Sequence, residues 1–86
     1  MIPDKFMLYV SENHIKSGKP RMPCECPIAV AINEQYKIDK IAVWGGINYI
    51  DGIQYNLCDV GVKFVNDFDN GRIVKPTYVT FTKLGL

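Results

Sequence analysis

Two thiols separated by a single residue, Cys24 and Cys26, stand in the segment RMPCECPIAVAI at residues 21–32. Cys58 and His14, the only histidine, complete the soft ligands and nucleophiles of the chain. Together they supply a Cys3His count, the right number for a closed zinc site. The spacing opposes it. A Cys-x-Cys pair replaces the Cys-x2–4-Cys knuckle of ordinary zinc modules, and Cys58 follows singly, far down the chain. No metal and no other cofactor is therefore expected.

A thiol at a helix N-terminus is acidified by unpaired N–H groups, so Cys24 or Cys26 could act as a nucleophile with His14 as base. Nothing around them supplies a recognisable nucleophile context. Capping and packing are the simpler roles for Cys24 and Cys26, with Cys58 set in a strand end, because free cysteine is commonly buried. His14 is expected to cap a short helix or bond a backbone group. Paired-carboxylate catalysis also lacks a site: Asp67 and Asp69 are two positions apart on a helix and cannot face one another. The chain is therefore not read as an enzyme.

A small anion is the remaining chemical possibility. Lys19 and Arg21 precede the N-terminus of a helix capped by Cys26, where free N–H groups and positive charge could cradle a phosphate. Gly45-Gly46 carries no P-loop or dinucleotide fingerprint.

The elements that must position these residues follow from pattern. Residues 5–10 alternate as a first strand, and Ser11 caps a helical turn over 12–17 that Gly18 closes in a left-handed stop. The loop KPRMP (19–23) leads to Cys26 as N-cap and Pro27 at the first position of a mostly buried helix over 27–36. Three strands follow at 40–44, 47–50 and 53–57. They are divided by Gly45-Gly46, a tight turn or a bulge, and by Asp51-Gly52, a strong hairpin signal. Asp59 caps the last helix, whose stripe is Val60, Phe64, Val65 and Phe68 and whose end is Gly71. Gly61 within it costs about 1 kcal/mol against alanine, a cost that close packing would offset. Residues 77–84 form the final strand.

The order β-α-α-β-β-β-α-β gives an α+β fold: two longer helices and a short one covering one face of a mostly antiparallel sheet of about five strands. With 86 residues the chain is one domain. The opposite face would carry some of Tyr9, Tyr49, Tyr55 and Tyr78, a half-apolar surface suited to a partner. Edge strands leave a homodimer open.

Ten Lys and Arg against nine Asp and Glu leave a net charge of +1, which argues against a general nucleic-acid binder. No apolar run approaches a membrane span. The first ten residues carry a strand pattern and an acid where a signal peptide would be basic and apolar, so the chain reads as cytosolic.

The segments ENHIKSGKPRMPCECPIAVAI and FVNDFDNGRIVKPTYVTF resemble a group of small accessory proteins of tailed bacteriophages and prophages. The shared pattern is His-Ile and Gly, then Cys-x-Cys-Pro with Ile-Ala-x-Ala, then Phe-Asp-x-Gly and a terminal strand. The likeness spans nearly the whole chain and implies a phage-encoded protein acting in the host cytoplasm. It carries over no functional residues, and Cys58 and Gly45-Gly46 look particular to this chain.

Two functions follow as expectations. The first is a binding protein that occupies a host or defence protein through exposed tyrosines. The second is an oligomeric binder of a nucleotide signal, using loop 18–26 and its helix N-terminus. A weak nucleic-acid binder using Lys19, Arg21 and tyrosine stacking is a further alternative.

Overall fold

Alternation places Phe6, Leu8 and Val10 on one side of the first strand, and the same side is buried in the computed structural model, which describes residues 2–85. The elements are β1 (Lys5–Val10), α1 (Glu12–Ser17), α2 (Pro27–Tyr36), β2 (Ile41–Val43), β3 (Asn48–Ile50), β4 (Ile53–Leu57), α3 (Asp59–Asp69) and β5 (Thr77–Lys83). They form the expected α+β arrangement. The strands make one antiparallel sheet in the order β1-β5-β4-β3-β2, so β5 closes between the first strand and the central meander.

One apolar cluster joins the inner sheet face to the helices. Leu8, Val10, Ile50, Val79 and Phe81 come from strands, Ile28, Ala31 and Ile32 from α2, and Phe64 and Val65 from α3. Each fully buried Ile or Leu contributes about 2 kcal/mol by leaving water. Phe6 lies at the centre, stacked on Phe81 and edge-on to Tyr36 and Tyr55, with ring centroids 5.2–5.7 Å away.

The two hairpin turns differ in chemistry. Asp51 and Gly52 both have positive φ (54° and 78°), as a two-residue type I′ turn requires. At Gly45-Gly46 only Gly45 has positive φ, 98°. Trp44 N–H donates to Ile47 O at 3.1 Å, so this junction is a second tight turn rather than a bulge. Against the sequence pattern β2 is two residues shorter, one at each end, and β3 and β5 are each one residue shorter.

The helix ends hold two departures from the sequence reading. Gly18 is not a left-handed stop: its φ is −73° and its backbone is extended. Glycine is needed there for space, because a Cβ would lie 2.5 Å from Pro27 Cδ. The N-cap of α3 is Cys58, with Asp59 the first helical residue. Gly71 does close α3, at φ 76°. Its N–H donates to Phe68 O and that of Arg72 donates to Asp67 O (3.1 and 2.8 Å), a Schellman pair. Gly61 is buried, and a Cβ on it would lie 2.5 Å from Leu57 Cγ, so the expected close packing is present.

Candidate functional site

The reactive-looking residues are engaged in structure. Cys26 is buried and its Sγ accepts from Ala29 N–H at 3.5 Å, the N-cap role its position suggested. Burial is the main reason its thiol is pushed up to about 11. Cys58 is half-buried at the point where β4 becomes α3. Its N–H donates to Thr80 O, while its thiol accepts the returning Thr80 N–H at 3.3 Å. The sulfur thus completes a sheet rung that the carbonyl, committed to Val62, does not supply. Cys24 differs from the packing role expected of it, since its side chain is exposed.

His14 is a capping residue. Ser11 N–H donates to His14 Nδ1 (2.9 Å), and His14 N–H donates to Ser11 Oγ (3.3 Å). With Nδ1 accepting, Nε2 carries the proton of the neutral ring and donates to Glu34 Oε1 at 3.1 Å. Among the described residues, no group of three or more His, Cys, Asp or Glu is placed to hold a metal ion.

Lys19, Arg21 and Cys26, the residues of the expected anion cradle, each have partners within the chain. Lys19 pairs with Glu25 at 3.5 Å. Arg21 turns to α3: its N–H donates to Asp69 Oδ1 and its guanidinium to Asp69 O, both at 2.9 Å. Pro27 brings no N–H to the helix terminus, and Ala29 N–H is taken by the sulfur of Cys26. Asp67 is similarly occupied, its carboxyl held below the usual carboxylate range chiefly by a bond from Lys63, with Arg72 adding to it.

The outer face of the sheet is different. Tyr9 and Tyr78 are cross-strand partners with ring centroids 4.9 Å apart, and Met7 stands exposed beside them. Tyr49 is exposed on β3, opposite Ala42. Next to that pair, Trp44 and Ile47 flank the glycine turn. Trp44, Ile47 and Tyr49 are 54%, 53% and 41% exposed and line a shallow, mostly apolar hollow of about 540 Å3 with Gly46. The polar strip between the two apolar groups is Gln54, Asn56, Thr80 and Thr82, on the outward register of β4 and β5.

Tyr55 does not belong to this surface. It is 1% exposed, on the helix-covered side, and its hydroxyl donates to Pro3 O at 3.0 Å. Burial, with Asp4 and Tyr36 nearby, raises its pKa. The physical reason is parity: Ile53, Tyr55 and Leu57 point the same way, and Leu57 is a core residue. Replacing Tyr55 with Phe is expected to cost about 1 kcal/mol, because Pro3 O loses its donor. A chemical melt of that variant checks it.

Trp44 and Ile47 were not among the residues singled out from sequence. The signal was available: parity carried past Ile41 and Val43 puts Trp44 outside, and from Ile50 backwards puts Ile47 outside. Asn48, wholly buried, was also missed. Its amide donates to Gly45 O (2.8 Å) and Tyr55 O (3.3 Å), and its Oδ1 accepts from Gly45 N–H (3.0 Å). This one side chain therefore fixes the turn that carries Trp44 and Ile47.

Compared with protein-family models, curated proteins and solved structures, the chain matches none. Among the described residues, no helix is long and apolar enough to cross a membrane.

The Cys26 thiol gives a pH expectation with a definite sign. Its folded pKa of about 11 exceeds the ordinary 9.0, so its contribution is fully present below pH 9 and lost as pH rises toward 11. Stability should fall by about 2 kcal/mol over that window from this group alone. Cys26→Ser keeps an N-cap acceptor and has no thiol to ionise. Denaturant midpoints measured against pH should show a shallower alkaline decline for that variant.

Proposed function

We propose that the chain acts by binding another protein through the open sheet face, as an accessory factor that occupies a host or defence protein. The observation that carries this reading is the cluster of Trp44, Ile47 and Tyr49 around one apolar hollow. Trp and Tyr are the residues that most often dominate binding energy, and a shallow apolar depression with a polar surround is the usual setting. Met7, Tyr9 and Tyr78 extend the same face beyond a strip of Gln, Asn and Thr able to form hydrogen bonds. The placing of such a factor in a phage rests on the residue pattern of the first and last segments, and the surface chemistry supports recognition without it.

Affinity capture from bacterial lysate, quantified for wild type and variants, tests the proposal. Trp44→Ala is expected to weaken retention of the captured partner by roughly 30-fold, the equivalent of ~2 kcal/mol. Ile73→Ala, at the exposed loop beyond α3, is expected to leave it unchanged. Equal retention by both variants, with both melting as the wild type does, would reject the open face as the binding surface.

A further inference from the structure

The sheet has two edges, and the chain treats them differently. At β2 the outward N–H groups belong to Ile41 and Val43, since Lys40 accepts from Asp51 and Trp44 bonds Ile47 on the inward side. Both outward donors are used within the chain: Ile41 N–H donates to Asp39 O (3.0 Å) and Val43 N–H to Pro23 O (2.9 Å). This edge is only three residues long, and its outward N–H donors are already taken.

At β1 the parity is set by two independent bonds. Lys83 N–H donates to Asp4 O, while Leu84 N–H donates to Gln54 O on the other side of β5. Odd-numbered residues of β5 therefore face β1, and Asp4, Phe6, Leu8 and Val10 are the residues that pair with them. The N–H and C=O groups of Lys5, Met7 and Tyr9 point away from the sheet. No backbone or side-chain partner engages them among the described residues. This second edge is six residues long, regular and open.

We propose that β1 pairs antiparallel with β1 of a second copy about a two-fold axis, joining two sheets into one. Pairing of outward groups requires odd residues to oppose odd residues. The register with the fullest overlap sets Met7 against Met7 of the second copy, and Lys5 against Tyr9 in both directions. It makes about six backbone hydrogen bonds. The side chains of these pairs all lie on the open face. Each ammonium meets a tyrosine ring rather than another cation, a cation–π arrangement, and the two thioethers meet at the axis. Lysine on an edge strand ordinarily discourages association; in this register its charge is accommodated. A net charge of +1 per chain gives little repulsion between copies. The result would bring the Met7, Tyr9 and Tyr78 groups of both copies together in one surface. The pairing itself depends only on the edge, and stands whether or not the face binds a partner.

Light scattering over a dilution series of the purified chain should give a mass near twice 9.8 kDa. Met7→Pro removes an outward donor and no internal bond, so it should give a monomer with an unchanged circular dichroism spectrum. Should that variant fail to fold, a second test reads the register. In a Cys24→Ser background, Met7→Cys should form an intermolecular disulfide under mild oxidation, because facing residues of such a pair lie within bridging distance. Thr82→Cys, one strand further in, should not. A monomeric wild type overturns the proposal, as does a dimer in which Met7→Cys fails to cross-link or Thr82→Cys does so equally well. These measurements need no partner, so their failure is separate from failure of the capture experiment.

Discussion

Replacing Gly18 with alanine is expected to cost about 3 kcal/mol, lowering the melting temperature by roughly 15 °C. The added Cβ would stand 2.5 Å from Pro27 Cδ and 2.6 Å from both Pro27 Cγ and the Pro27 nitrogen. These are ring and backbone atoms of the first residue of α2, which no rotamer change can move aside. Gly18 N–H donates to His14 O, and the next N–H, of Lys19, donates to Glu25 O. The chain is thus folded back on the α2 N-terminus from both ends of the loop. Gly71→Ala is the matched contrast. At φ 76°, with nothing within 4 Å of its Cβ position, it pays only the left-handed backbone cost, about 1 kcal/mol. Thermal melts of the two variants separate a need for space from a need for conformation. Equal losses would contradict the assignment.

Asn48→Ala is expected to lose about 3 kcal/mol as well, by a different route. Removing the amide leaves Gly45 N–H and Gly45 O without the partners they have in a fully buried site, and orphaned buried polar groups cost about 1–3 kcal/mol each. The loss should also reach the outer face. Trp44 and Ile47 sit directly beside the turn that Asn48 clamps, so hydrogen exchange at Gly45 should accelerate in the variant. Partner retention should fall too, although Asn48 itself faces the core. Unchanged exchange at Gly45 would show that the turn holds without the clamp.

The fold was readable because local signals agree with it. Pro27 after a capping Cys26, Asp51-Gly52 between alternating runs, and Gly71 after an amphipathic stripe each specify one backbone state. Gly18 misled because a glycine after a short helix looks the same whether it supplies a left-handed φ or room for Pro27, and the second is a tertiary contact. The faces of the strands were partly readable. Parity along Ile53, Tyr55 and Leu57 already assigns Tyr55 to the core, and parity past Val43 assigns Trp44 to the outside. Tyr9 and Tyr78 needed the β1–β5 register, which pairs residues from opposite ends of the chain. Nor could the loop sequence show that Arg21 reaches Asp69 or that Lys19 meets Glu25, the contacts that engage the two cations of the expected anion cradle. Asn48 reads as an ordinary polar strand residue until the carbonyls of its turn are in place.

Hydroxyl-radical footprinting of the captured complex against the free chain tests the recognition surface most directly. On the proposed surface, oxidation of Trp44 and Tyr49 should fall sharply on binding, while the exposed Met22 should keep its free-chain rate. Protection of Met22, with Trp44 and Tyr49 oxidised as fast as in the free chain, would contradict it.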